Sequence, residues 1–366
     1  MEIGSEFWID KDYIVDPMEQ FYMSGRSALN AIILDVKKKY AAEQVLMPSY
    51  CCDSMIVPFI RNQIRVRFYD VYLDNDHKIS VEIPNAEKNE VLFLIHYFGA
   101  KVRKFHIQGK FSDWITVIED KTHSFFSGFD SDIDSEYEFV SFRKWFAVSG
   151  IAMAKNTNRD LIVPDATNDK FIALRNDAFS EKARYISGVQ INKDQFLNKF
   201  REAEEILDID SMCYRPDRKD YYRLTQRLHQ QEALVQARRA NAAVLIKELE
   251  KIPQLSVMVD FDFNQDCPLF VPVAELTGQR DQLRRYLIEN QVYCPVHWPT
   301  SLYHEGISAK AQEIYDNELS LVCDQRYSPE EMIKIIKLIR NYYSGDIVYK
   351  EQPWKSTNHT DRMKSS

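Results

Sequence analysis

The chain has 366 residues, 45% of them hydrophobic and 28% charged, with a formal net charge of -8. That is the composition of a soluble globular protein with room for one large domain and a smaller one. Apart from Lys37-Lys38-Lys39 the basic residues are scattered, which excludes the concentrated positive surface that nucleic acid requires.

No apolar run approaches the roughly 18 residues of a membrane span. No basic segment followed by an apolar stretch opens the chain. A cytoplasmic protein is therefore expected, with its six cysteines as reduced thiols.

Residues 1–20 mix aromatic and acidic side chains without periodicity and read as an arm that packs on the body or on a second subunit. After Ser24-Gly25-Arg26-Ser27-Ala28, a helix-start signal, Leu29, Ile32, Ile33 and Val36 form the stripe of an amphipathic helix running to about Tyr40. Its three terminal lysines suit the negative pole of the helix dipole.

Short apolar runs follow at Val45–Met47, Ile64–Tyr69, Val91–Ile95, Ile115–Glu119, Tyr137–Phe142 and Ile151–Ala154. Several are near-continuous rather than alternating, as in strands buried on both faces. The stretches between them leave room for crossovers such as Cys52–Ile60. The expected class is α/β, with a mostly parallel central sheet whose ligands gather beyond the strands' carboxyl ends.

A charged, helix-forming stretch from Asp217 to Lys251 reads as one long bridging helix ended by Pro253. Beyond it, strands at Leu255–Val259, Pro268–Val273 and Gln291–Val296 and helices at Asp281–Glu289 and Pro329–Tyr342 make a small α+β lobe. The expected organisation is an arm over 1–20, a large domain with its bridging helix over 21–250, a small C-terminal domain over 251–345 and a polar tail over 346–366.

Two residues stand at the ends of neighbouring apolar runs. Asp120 closes Ile115-Thr116-Val117-Ile118-Glu119-Asp120, and Lys144 follows the next run in Ser141-Phe142-Arg143-Lys144-Trp145-Phe146. A lysine so placed can hold an aldehyde cofactor through its amine while an aspartate pairs with a pyridine nitrogen, a combination that points to pyridoxal phosphate (PLP).

The order of these motifs resembles that of the DegT/StrS-type sugar aminotransferases, within the fold-type I PLP-dependent enzymes, over about residues 20–343. Ser24-Gly25-Arg26-Ser27-Ala28-Leu29 is similar to the family's Ser-Gly-Thr-x-Ala-Leu. The resemblance implies that Gly25, Arg26 and Ser27 present a helix N-terminus to the cofactor phosphate, an arrangement suited to any anion. Met47-Pro48-Ser49-Tyr50-Cys51-Cys52 is similar to the segment that stacks an aromatic ring on the pyridine. The register places Cys52 there and Tyr50 nearby, and the stacking residue stays open.

Phe93-Leu94-Ile95-His96-Tyr97-Phe98-Gly99 is similar to the family's strand-His-x-x-Gly, with His96 toward substrate. Val117-Ile118-Glu119-Asp120-Lys121-Thr122-His123 is similar to Ile-Glu-Asp-x-x-Gln/His, with Asp120 at the ring nitrogen and His123 near the phenolic oxygen. Ser141 is implied as a phosphate ligand and Lys144 as the covalent anchor and proton carrier. Lys144 lies three residues after Ser141, where sugar-modifying members space the pair by five, and matches a subgroup with Leu-Arg-Lys-Trp-Phe. Only Gly150 remains of a Gly-Gly pair.

In the small lobe, Tyr293-Cys294-Pro295-Val296-His297-Trp298-Pro299 is similar to the Val-His-Tyr-Pro segment at the site mouth, with His297 toward substrate. The resemblance implies a homodimeric aminotransferase moving an amino group from an amino acid, glutamate above all, to a keto acceptor such as a nucleotide-linked keto sugar. A PLP-dependent dehydratase or lyase, and a non-enzymatic scaffold that binds a ligand or partner, are the alternatives.

Overall fold

The computed structural model describes residues 3–4, 20–101, 105–128, 135–158, 161–210 and 212–345. Most of the expected arm and all of the expected tail lie outside the described residues. Among them, no helix is long and apolar enough to cross a membrane.

The strands, in chain order, are β1 Ile3–Gly4, β2 Phe21–Tyr22, β3 Gln44–Pro48, β4 Arg65–Leu73, β5 Ile79–Ile83, β6 Glu90–Ile95, β7 Phe105–Ile107, β8 Thr116–Asp120, β9 Tyr137–Ser141 and β10 Ala152–Asn156. Nine of them form one sheet in the order β2-β10-β9-β8-β6-β3-β4-β5-β7. The run β9-β8-β6-β3-β4 is parallel throughout, and β10 pairs antiparallel with β9. Each residue of β3 and β6 is buried, which is why their sequences read as unbroken apolar runs.

Helix α1, Gly25–Tyr40, buries Leu29, Ile32, Ile33 and Val36 against this sheet, the stripe read from the sequence. Helix α2, Asp53–Arg61, makes the crossover between β3 and β4. The structure thus has the expected α/β architecture with a large, mostly parallel central sheet.

Two helices without a sequence expectation come next, α3 Asp169–Ile186 and α4 Lys193–Ile209. They pack together through Ala178, Phe179, Phe196 and Phe200. The expected single helix from Asp217 to Lys251 is two, α5 Arg218–Leu228 and α6 Gln231–Leu249, separated at His229-Gln230. No Gly or Pro marks the break. Tyr221 and Leu224 pack with Trp145, whereas Ala242, Leu245 and Leu249 serve a different apolar cluster, so tertiary packing overrides the local helical preference.

A second sheet of three antiparallel strands, β11 Leu255–Val257, β12 Val271–Glu275 and β14 Glu318–Leu321, has its own apolar cluster with α6, α7 Arg280–Glu289 and α9 Pro329–Ser344. The short strand β13, Val292–Tyr293, pairs parallel with β1. Helix α8, Ala309–Asn317, leads into β14. The run expected as a strand at Pro268–Val273 is displaced toward Glu275, because Arg238 holds the Pro268 and Leu269 carbonyls.

Candidate active site

The register of the parallel strands sets Ile95, Asp120 and Phe139 side by side. Asp120 is the last residue of β8, and Ser141 is the last of β9. Cys52 and the first turn of α1 come to the same end of the sheet and, with Asp120, Ser141 and Lys144, line a cavity of about 140 Å³. These residues thus meet beyond the carboxyl ends of the parallel strands, the end at which such sheets bind ligands.

Lys144 ends a single 3-10 turn, Phe142–Lys144. The turn is pinned from both sides. Phe142, Trp145 and Phe146 are buried in one apolar cluster, and the Trp145 indole N–H donates to the Thr122 carbonyl at 2.7 Å. The aromatics therefore hold the turn while Lys144 projects out of it. Its amine makes no hydrogen bond or ion pair among the described residues. We expect Trp145→Ala to cost about 3–5 kcal/mol of stability, read as a lower denaturant midpoint. A loss under about 1 kcal/mol would show that the turn does not depend on this anchor.

Lys144 and Arg143 also line a second, larger cavity of about 350 Å³, together with His297, Arg238, Arg284 and Arg326. Its volume falls within the roughly 300–1,000 Å³ of small-molecule sites. Lys144 thus stands at the wall between two cavities, one beyond the sheet and one toward the segment after β13.

At the smaller cavity, Ser24 caps α1 by accepting from the Ser27 N–H at 3.1 Å. The Gly25 and Arg26 N–H groups carry no hydrogen bond among the described residues, so they and the positive helix pole are open to an anion. A Cβ on Gly25 would stand 3.1 Å from the Ser141 Cβ, a tight contact, so the close approach of helix and strand end favours glycine there. The Arg26 side chain pairs with Glu204 and Asp208 of α4, at 3.3 and 2.8 Å, and Glu204 itself lines this cavity.

Glu204 also receives a two-pronged bond from Arg143, and its carboxyl is held far below the usual range by that arginine together with Arg175 and Arg26, against its burial. Ser27 does not line this cavity. Its N–H is spent on the cap and its hydroxyl donates to the Met212 carbonyl at 3.3 Å, which corrects its expected place at the phosphate.

Asp120 is buried, and Oδ1 accepts from the Thr122 N–H at 2.8 Å. Burial raises its carboxyl to about 6, while the Thr122 hydrogen bonds and the charges of Lys144 and His96 pull the other way. A carboxyl so poised is stabilised as the anion by any cation that enters beside it. His123 is buried, with Nδ1 accepting from the Phe98 N–H at 3.4 Å, which leaves Nε2 as the protonated nitrogen of the neutral ring. Burial holds it neutral, and His297 and Lys144 act in the same direction.

The His123 ring stacks on Trp298 at 5.5 Å and an interplanar angle of 28°. Trp298 lines the smaller cavity, whereas Tyr50 is fully buried between Tyr97, Trp298 and Tyr315 and donates its hydroxyl to the His297 carbonyl. Tyr50 is therefore removed from the cavity. Cys52 remains at its wall with Sγ 2.8 Å from the Ser54 hydroxyl.

His96 is also corrected. It lines neither cavity, and its Nε2 pairs with the buried Glu119, which places it behind Asp120 rather than at a cavity wall. His297 lines the larger cavity, and its Nδ1 lies 2.8 Å from the Ser320 hydroxyl. Burial holds the ring neutral down to about 3.

Behind His297, Glu318 accepts from its N–H at 2.6 Å, and burial raises that carboxyl to about 8. A carboxyl raised in the folded state lets the native protein bind more protons than the unfolded chain between the ordinary value and about 8. Stability from this group is therefore greatest below that window and falls as pH rises through it. Glu318→Gln, which mimics the protonated acid, is expected to flatten the fall in melting temperature between about pH 5 and 8. An unchanged slope would assign the fall to other groups.

Sequence reasoning missed Thr122, Glu204, Trp298 and the arginines of the larger cavity. Glu204 had a readable signal, since Phe196, Phe200, Ala203 and Leu207 form the buried stripe of α4. Arg238 and Arg284 had none, because charged residues on amphipathic helices ordinarily face solvent.

No family model matches the sequence, and no curated protein does. Solved structures do. A Streptococcus pneumoniae protein described as a sugar aminotransferase, in its PLP form, is 12% identical over 95% of this chain and 100% of its own, with a TM-score of 0.63. A DegT/DnrJ/EryC1/StrS aminotransferase from Brucella abortus is 15% identical over 88% and 85%, at 0.58. The E. coli GDP-4-keto-6-deoxy-D-mannose-3-dehydratase with bound hydrated PLP is 12% identical over 87% and 86%, also at 0.58. Over most of its length, the chain therefore has the fold of the DegT/DnrJ/EryC1/StrS aminotransferases and of this dehydratase.

Proposed function

We propose that this protein is a PLP-dependent aminotransferase. The observation that carries the reading is Lys144, whose unengaged amine lines both a cavity beyond the sheet bordered by the N-terminus of α1 and a larger cavity beside it. The residues present fit PLP. A glycine-built helix terminus suits the phosphate, Asp120 suits a pyridinium nitrogen, and the His123–Trp298 pair offers a flat wall. When bound there, PLP supplies the electron sink that lets a bond at the substrate α-carbon break heterolytically.

In this reading Lys144 holds the cofactor and carries the proton between the two carbon positions that exchange it. The Gly25 and Arg26 N–H groups and the Ser141 hydroxyl bind the phosphate. Asp120 fixes the charge of the ring nitrogen, and His123 Nε2 offers a hydrogen-bond donor to the phenolic oxygen. Cys52 lines the cofactor cavity without the ring needed for stacking, and Trp298 takes that role. His297 borders the substrate. Glutamate is the favoured amino donor and a nucleotide-linked keto sugar the favoured acceptor. The large domain spans 21–250 and the small one 251–345, in a cytoplasmic homodimer.

The test is a half-reaction. Added L-glutamate should bleach the visible band of the PLP-loaded protein and release one equivalent of 2-oxoglutarate, and a keto acceptor should restore the band. Bleaching without 2-oxoglutarate would overturn transamination. The dehydratase of like fold supports a second reading, loss of water from a keto sugar. ¹⁵N-labelled glutamate separates them, since only transfer leaves the label in the sugar product. Sedimentation checks the dimer.

A further inference from the structure

The larger cavity has a charge imbalance that the proposed cofactor chemistry does not explain. Five arginines, Arg143, Arg175, Arg238, Arg284 and Arg326, line it with Lys144, against one acid, Asp324. Several of these cations already have acidic partners. Arg143 and Arg175 face Glu204, and Arg326 clasps Asp324 with two nitrogens, at 2.9 and 2.7 Å. Arg238 and Arg284 differ.

The Arg238 guanidinium is almost fully buried, yet its hydrogen bonds go to neutral acceptors: the Gln325 amide and the Pro268 and Leu269 carbonyls, at 2.8, 3.0 and 3.0 Å. Its Nη2 has no acceptor among the described residues. The group lies 4.6 Å from the centre of the Trp145 ring, which fixes its plane. Arg284 donates only through Nε, to the Cys294 carbonyl at 3.2 Å, which leaves both terminal amino groups without an acceptor among the described residues. The acid closest to it electrostatically, Glu318, has its carboxyl raised to about 8 by burial and so gives little countercharge at neutral pH.

The Asp324 carboxylate that Arg326 clasps also feels the Arg238 charge, so one acid serves two arginines, and a ligand that supplies an anion offsets the remaining cost of burying them. Two planar forks, each oriented by bonds to rigid backbone and each with free N–H groups, match carboxylate or phosphate oxygens better than any neutral group. Leu269, Phe270, Ile288 and Val322 add apolar surface to the wall, and a lower local dielectric strengthens such pairs.

We propose that Arg238 and Arg284 select a substrate with two acid groups, carboxylate or phosphate, in the cavity beside Lys144. For its catalytic meaning this rests on the aminotransferase reading. The two arginines act as specificity-determining residues, orienting a dianion so that its reacting carbon lies toward the lysine. The dianion comes from either of two sources, a dicarboxylic amino or keto acid or a diphosphate ester.

The experiment uses the purified full chain with and without added PLP, and reads Trp145 fluorescence and titration heats. The probes are glutarate, its neutral counterpart glutaramide, and UDP. A dianion should bind at least about ten-fold more tightly than glutaramide, and Arg284→Gln should erase most of that preference. Preference for glutarate assigns the dicarboxylate source and preference for UDP the diphosphate.

Equal affinity for glutaramide and both dianions overturns the proposal, as does full preference retained in Arg284→Gln and Arg238→Gln alike. Arg284 is the first choice because it is only half-buried, so its replacement spares the core. Loss of the PLP band with the anion preference intact would overturn the cofactor reading and support the anion site. A normal band without preference would overturn the anion site alone.

Discussion

Lys144→Ala is expected to remove the visible band of the PLP-loaded protein and the borohydride-fixed cofactor, and to lower turnover by at least about 10⁴-fold. General acid–base catalysis by one positioned group contributes about 10²–10⁴-fold on its own, and loss of the covalent anchor adds to that. The fold should be unaffected. The side chain is exposed and its amine holds no neighbour, so the stability change should stay within about 0.5 kcal/mol. That separation makes the variant decisive. A band of equal strength in Lys144→Ala would end the assignment of this residue, and a band missing from the wild type would end the PLP reading itself.

Asp120→Asn should have the second-largest effect. The amide oxygen keeps the acceptor for the Thr122 N–H, so local structure is preserved while the charge is lost. Removing one preorganised electrostatic partner of a reacting centre costs about 10²–10³-fold in turnover, with PLP still bound. The pH profile gives an independent reading. Burial raises this carboxyl to about 6 in the protein alone, and a pyridinium beside it would favour the anion and move it lower. Wild-type activity should therefore rise with pH along a limb centred no higher than about 6, and the Asn variant should lack that limb. Wild-type turnover in Asp120→Asn, or an unchanged acid limb, would show that Asp120 does not serve the ring nitrogen.

The parallel sheet was legible because its strands are buried on both faces and are therefore apolar at every position. Helix α1 was legible from its stripe and cap, and α9 from Ser328-Pro329 and the apolar positions after it. β5, Ile-Ser-Val-Glu-Ile, alternates rather than running continuously apolar and so fell outside the buried-strand pattern, and Glu318–Leu321 was missed because it is only four residues long. Asp120, Ser141 and Lys144 were legible since each sits at or just past a strand end, where chain order alone brings residues together.

His96, Ser27 and Tyr50 were misplaced for a common reason. A motif fixes a residue's position along the chain, but a hydrogen-bonding side chain goes to whichever partner packing brings near: Glu119 for His96, the α1 cap and Met212 for Ser27, and the His297 carbonyl for Tyr50.

The sequence by itself determined the class of sheet, the capped helix α1 and the lysine and aspartate at one end of neighbouring strands. Each follows from local periodicity and capping chemistry acting over a few residues. Only the tertiary structure decided that Lys144 stands between two cavities, that Trp298 rather than Tyr50 reaches the first, and that Glu204 holds Arg26 and Arg143. It alone decided that Arg238 and Arg284 line the second cavity with only neutral hydrogen-bond acceptors of their own. These depend on contacts between residues roughly 10 to 250 positions apart, whose partners are set by how apolar surfaces of separate elements pack together.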